Sequence, residues 1–294
     1  MTLRLRILSC NYLADAVLRR GRVRKSYVHL IRVLMICGSL CLCLFAAEAV
    51  PAHAEQHIIL GSRSRVQWDR LLATAAGIDD RQQRSAYLSE TFLGIPYQEH
   101  TLIGDAKLRE KLVFDLSGID CFTFLDYLES FLQAADISTA VIKLQHVRYR
   151  DGEVSYWQRN HFFSDWLQTD VPAVDDITEV IGGDAVISVV KHLNRRQDGS
   201  LWLAGLPVIS RQISFLPAEK LTGDRLKLLR TGDYVGVYSS EAGLDVSHTG
   251  VILRTEDRVW LRHASSQANL RGVVDSDLLD YLEGKPGILI YRPQ

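Results

Sequence analysis

Three runs near the C-terminus constrain the fold most: Tyr234-Val235-Gly236-Val237-Tyr238, His248 to Leu253, and Arg258 to His263. Each is rich in β-branched or aromatic residues, and only turn-like breaks, Glu241 to Asp245 and Thr255 to Asp257, separate them. Parallel strands need a long crossover, so strands joined this closely pair antiparallel. Gly287 to Tyr291 is a candidate fourth strand. His248 opens one predicted strand and His263 closes the next. Pairing through the turn near Glu256 lays the start of one beside the end of the other, which brings both imidazoles to the same end of the sheet.

Upstream, Leu125, Leu128, Phe131, Leu132 and Ala135 recur at helical spacing and predict a helix with one apolar face. Asp120 is its N-cap and Gly118 ends the preceding loop. Cys121 then falls in the first turn, where unpaired backbone N–H groups and the positive end of the helix dipole stabilise a thiolate. The competing reading is a buried apolar cysteine, a frequent fate of a free thiol.

The first 54 residues differ in kind from the rest. Eight Arg and Lys precede the apolar run Val33 to Ala47, and Ala52-His53-Ala54 follows. Basic, apolar and small-x-small segments in that order read as a secretory signal cleaved after Ala54, and an apolar run of about 15 residues is short for a membrane span. Cys10, Cys37, Cys41 and Cys43 lie in this leader, so the mature chain carries Cys121 alone and can form no internal disulfide. The expected product is exported, periplasmic and without a stable membrane anchor. The 34 basic and 35 acidic residues of the whole chain become 26 and 33 once the leader's eight basic and two acidic residues are set aside. An acidic exported chain is a poor nucleic-acid binder, so no nucleic-acid partner is expected.

Residues 55–294 carry no Pro/Gly/Ser-rich linker and read as one domain. Two helices are expected between Ser62 and Leu93, with Val66, Leu71, Leu72 and Ala75 inward on the first and Tyr87, Leu88, Phe92 and Leu93 inward on the second; Asp79 caps the second and Gly94 ends it. Gly94 to Tyr97 is a turn that presents Tyr97. Leu112 to Leu116 is a short strand and Thr139 to Val147 a helix. Tyr156 to Trp166 mixes aromatics with polar groups, as a cleft wall does, with Arg159 and His161 available for charge-assisted contacts; a helix with core aromatics and surface Arg and His fits equally. Residues 170 to 230 read poorly beyond loops at Gly182-Gly183 and Asn194 to Ser200 and a strand from Gln212 to Leu216.

A nucleophilic cysteine needs a base within hydrogen-bond reach and a third group that holds the base in the right tautomer. Cys121 and the two histidines can supply all three. Zinc held by the same three residues is an alternative, although the close ligand pairs of usual zinc sites are missing, and no metal or cofactor is expected.

In this order the motifs resemble the NlpC-type cell-wall peptidases, a papain-like superfamily. Asp120-Cys121 opens a helix; Gly232-Asp233-Tyr234-Val235 is followed by Ser247-His248-Thr249-Gly250-Val251; Leu261-Arg262-His263-Ala264-Ser265 comes last. The resemblance implies that Cys121 is the nucleophile, His248 the general base and His263 the residue that orients it. The N-acetylmuramoyl-L-alanine amidase-like branch is similar in further places: Leu93-Gly94-Ile95-Pro96-Tyr97, Asp120 to Phe124, and Arg159-Asn160-His161-Phe162 with Trp166. It implies an α+β fold with a papain-like core and a large insertion, about residues 137–230, between Cys and His. It also implies amide hydrolysis in peptidoglycan or muropeptides, with substrate contacts from Tyr97, Asp120, Arg159, His161 and Ser247. The rival bond lies between D-glutamate and the diamino acid of the stem peptide, and an inert wall-binding module is the alternative of another class. Two departures stand out: Cys121-Phe122-Thr123 replaces the superfamily's Cys-Ser-Gly, and the span from Cys121 to His248 is long.

Overall fold

The computed structural model describes residues 56–294; the signal segment expected at the N-terminus lies outside them. In chain order the first elements are β1 (Gln56–Ile59), α1 (Arg65–Ala76), α2 (Arg81–Glu90), β2 (Leu112–Asp115), α3 (Cys121–Leu132) and α4 (Ile137–Arg148). There follow β3 (Val174–Asp176), α5 (Thr178–Gly182), β4 (Ile187–Leu193), β5 (Ile209–Pro217) and α6 (Gly223–Leu228). The chain ends with β6 (Tyr234–Tyr238), β7 (Val246–Arg254), β8 (Val259–Ser265), β9 (Gly272–Asp277), α7 (Leu278–Leu282) and β10 (Gly287–Pro293).

The three predicted C-terminal strands are β6, β7 and β8, and they pair antiparallel in sequence order as their short connections require. The fourth, β10, pairs on the far side of β6. The spatial order is β4-β5-β10-β6-β7-β8-β9, with β3 also on β10. Three of these strands come from the stretch between helix and sheet: β5 pairs β10, β4 pairs β5, and β3 pairs the end of β10. The insertion therefore extends the sheet. Residues 187–193 carry no legible strand pattern in sequence because polarity and burial disagree on this outer hairpin, where Ile187 and Val190 are exposed and Lys191 is buried.

Both faces of the central strand β6 are covered, so its two-residue alternation sorts it between two cores. Tyr234 and Tyr238 meet the helices together with Trp68, Phe92, Phe124 and Phe131. Val235 and Val237 meet Ile252, Leu261, Leu278 and Ile288 on the opposite face.

Helix α3 corrects the expectation of a single apolar face. Every residue from Thr123 to Leu132 is buried, carboxylates included, while Ala135 lies beyond the helix and is exposed. The charges are tolerated because each is paired: Asp126 with Arg148 at 2.8 Å, and Glu129 with Arg81 at 3.0 Å and the Tyr234 hydroxyl. Helix α2 is capped by Asp80, not Asp79, the Asp80 carboxylate accepting the Gln83 N–H at 2.7 Å. It ends at Glu90, short of Gly94, and Leu93 is exposed, as is Val66 on α1, where Trp68 fills the inward position instead.

Candidate active site

Asp120 is the N-cap of α3, as its residue type and position predict. Its Oδ1 accepts the backbone N–H of Phe122 at 3.0 Å and of Thr123 at 2.7 Å, and the Thr123 hydroxyl answers the Asp120 N–H at 2.9 Å. This reciprocal box fixes Cys121 as the first helical residue. The segment 94–98 runs beside the helix start: Ile119 donates to the Pro96 carbonyl and Gln98 to that of Ile119, each at 3.0 Å. Tyr97 thereby stands close enough to Cys121 to feel its charge.

On the sheet, β7 carries a bulge at Ser247, between the pairs Val237↔His248 and Tyr238↔Val246. Such irregularities re-aim neighbouring side chains. His248 leaves the bulge on the face that also carries His263, and its Nε2 lies 2.8 Å from His263 Nδ1. Gly250 permits this approach, since a side chain there would meet the Arg262 carbonyl at 2.8 Å and His263 Cβ at 3.1 Å. His263 Nε2 lies 3.0 Å from the Ser276 hydroxyl on β9. Thr249 links sheet to helix: its hydroxyl donates to the Cys121 carbonyl at 2.7 Å, and its polar groups lie against the thiol.

The electrostatics run against the helix-terminus expectation. Burial, and after it the Asp120 carboxylate, push the Cys121 thiol up to about 11, outweighing the donors of Thr249. Burial also pushes His248 down to about 3, with the facing His263 ring and Lys285 adding to it, and His263 down to about 4. At neutral pH the resting groups are a thiol and two neutral imidazoles. Among the described residues no hydrogen bond joins the Cys121 thiol to His248. Nor does any group of three His, Cys, Asp or Glu among them stand where it could hold a metal ion.

Tyr281 on α7 is a neighbour that sequence reasoning missed. Its ring centroid lies 5.7 Å from that of His248 and 4.7 Å from that of His263, and burial together with the nearby Cys121 raises its phenol to about 12. Helix α7 has only five residues, too few for periodicity to reveal which face it buries.

Arg159 and His161 are spent elsewhere. Arg159 pairs with Glu110 at 3.0 Å and lies over the Tyr156 ring, and His161 Nε2 meets the Tyr156 carbonyl at 2.7 Å. Among the described residues no hydrogen bond, ion pair or ring contact joins either of them to Cys121, His248 or His263. Trp166 of the same segment does reach the helix start, its ring 5.8 Å from that of Phe122. Ser247 is exposed on the bulge, its hydroxyl 3.5 Å from the Val237 carbonyl.

The mixed α/β architecture with its antiparallel sheet matches amidase-like structural neighbours. A crystal structure of a Legionella pneumophila protein matches with a TM-score of 0.65 at 21% identity, over 78% of this chain and 94% of that one. Two crystal structures of an N-acetylmuramoyl-L-alanine amidase from Bacteroides uniformis match with TM-scores of 0.59 and 0.60 at 24% and 26% identity. They cover 78% and 71% of this chain and 99% and 98% of theirs. No curated protein matches the chain. The chain belongs to the AmiA-like family, described as N-acetylmuramoyl-L-alanine amidase-like, whose sequence profile matches residues 87–288.

Proposed function

We propose that the protein is an exported, periplasmic thiol hydrolase with a papain-like core that cuts an amide in peptidoglycan or muropeptides, between N-acetylmuramic acid and L-alanine. The observation that carries the reading is the relay from Ser276 through His263 to His248, set beside a cysteine at a helix start. Family membership and the amidase neighbours supply the reaction class.

The tautomers follow from the role proposed for His248. For His248 to accept a proton at Nδ1, its Nε2 carries the hydrogen and donates to His263 Nδ1. His263 Nε2 is then protonated and donates to Ser276. A raised thiol and a depressed imidazole do not form a resting ion pair, so the proton moves from Cys121 to His248 as sulfur attacks the amide carbonyl. The Cys121 N–H, at the helix start and beside its own sulfur, would stabilise the oxyanion. The imidazolium next protonates the leaving amine, C–N cleavage leaves an acyl-thioester, and water releases it.

Mass spectrometry of a purified muropeptide incubated with residues 55–294, with Cys121→Ala in parallel, tests the reading. The expected products are a free stem peptide and a peptide-free sugar. A shortened stem still on sugar would make the protein an endopeptidase, and an uncut muropeptide would point to a wall-binding module.

A further inference from the structure

We propose that Arg271 is a specificity-determining residue that binds a free carboxylate of the substrate close to the scissile amide. This rests on the amidase reading and names the part of the substrate read at that site. In a stem peptide the fitting group is the α-carboxylate of the second residue, a γ-linked glutamate.

Position is the first argument. Residues 94–98 form a bridge with the start of α3 on one side and the start of β9 on the other. On the β9 side Tyr97 donates to the Arg271 carbonyl at 3.0 Å, Val273 to that of Ile95 at 2.9 Å, and Gly94 to that of Val273 at 3.0 Å. The guanidinium of Arg271 lies 5.5 Å from the centre of the Tyr97 ring, and Tyr97 adjoins the segment that leads into Cys121. The cation is therefore held at the rim of the thiol's surroundings.

Backbone strain is the second argument. Arg271 has φ of +33°, a conformation that L residues with side chains rarely adopt and that glycine takes freely. Its N–H is bound to the Gln267 carbonyl at 2.8 Å, and Gly272 beyond it must be small, since a side chain would meet the Ile95 carbonyl at 3.0 Å. Strain of this kind concentrates at sites where a side chain is needed at one place.

Availability is the third. Arg271 is exposed, and among the described residues its guanidinium pairs with no carboxylate. Around the Tyr97 phenol the Asp120 and Glu99 carboxylates act against its ionisation and Arg271 acts for it, so Arg271 is the cation near this ring that favours an anion. A planar guanidinium pairs with a carboxylate through two parallel hydrogen bonds, which a carboxamide cannot reproduce.

Calorimetric binding of two muropeptides to the full chain carrying Cys121→Ala tests this, one with glutamate at the second stem position and one with its α-carboxamide. The acid is expected to bind about fivefold tighter, as for a solvent-touched charge pair, with the gap narrowing in high salt. Arg271→Gln is expected to abolish the gap and Arg271→Lys to retain part of it. Arg271→Gly relieves the backbone and serves as the variant that folds without strain; it too should lose the gap. Equal binding of acid and amide by the parent, no binding of either, or a gap that survives in Arg271→Gly would overturn the assignment. Cleavage by the unsubstituted chain is scored separately, so loss of the carboxylate preference with cleavage intact sinks only the Arg271 assignment. Missing cleavage with the preference intact sinks the amidase reading.

Discussion

At the scale of single residues the unexpected property is the protonated thiol. A dipole effect at a helix start is worth only about 0.3–1 kcal/mol when exposed; here desolvation and the Asp120 carboxylate outweigh it. Alkylation of Cys121 is therefore expected to accelerate about tenfold per pH unit from 7 toward 11, with no plateau near neutrality; rates with iodoacetamide across that range check it. Cys121→Ala should abolish turnover and leave the far-ultraviolet circular dichroism unchanged. On the proposed mechanism His263→Ala should slow hydrolysis less than His248→Ala, because the first would lose orientation of the base and the second the base itself. Tyr281 shields both rings from water. Tyr281→Ala should raise both imidazole pKa values toward 6.5, seen as histidine ring-proton signals that titrate near pH 6, whereas in the unsubstituted protein they stay constant from pH 8 to 5.

At the scale of elements, α3 does two jobs with one set of side chains. Its start presents Cys121, and its body lies buried with charges paired in place. Asp126 accepts from Arg148 at 2.8 Å, and Arg148 also donates to the Val113 carbonyl at 2.6 Å, tying α3, α4 and β2 together. Removing one partner strands a buried charge, so Asp126→Ala should cost about 3–5 kcal/mol in urea unfolding. Asp120→Ala should cost about 1 kcal/mol through the lost cap, and it should also lower the Cys121 pKa by removing the adjacent carboxylate. The two effects separate in one variant, stability by denaturation and the thiol by its alkylation profile.

At the scale of the whole molecule, burial of neutral histidines makes folding sensitive to acid. His161, His248 and His263 sit near 4, 3 and 4 in the folded chain, against an ordinary 6.5. Between those values the unfolded chain binds the extra protons, so their contribution is complete above about pH 6.5 and is lost as pH falls toward 4. Glu110, Asp176 and Asp245, raised by burial, act in the opposite sense in acid. Substitution isolates one share: His161→Asn should flatten the loss of stability between pH 6.5 and 4, read from urea midpoints at each pH.

Local features legible in the sequence were those set by local chemistry: the Asp120 cap, Cys121 at the helix start, β6 to β8 and β10, and the meeting of His248 with His263. An N-cap is chosen by residue type and by N–H groups two and three positions away, and a hairpin by strand period and turn length, so neighbours in sequence suffice. The Asp79 cap and the single apolar face of α3 were misread because competing caps and paired buried charges look alike in one dimension. Tertiary structure alone decided that the insertion joins the sheet and that Arg159 and His161 are occupied by Glu110 and a carbonyl. It also decided that Tyr281 covers the histidines, that Arg271 reaches Tyr97, and that the thiol rests protonated. These depend on desolvation and on contacts between residues far apart along the chain, and neither quantity exists until the chain has closed around them.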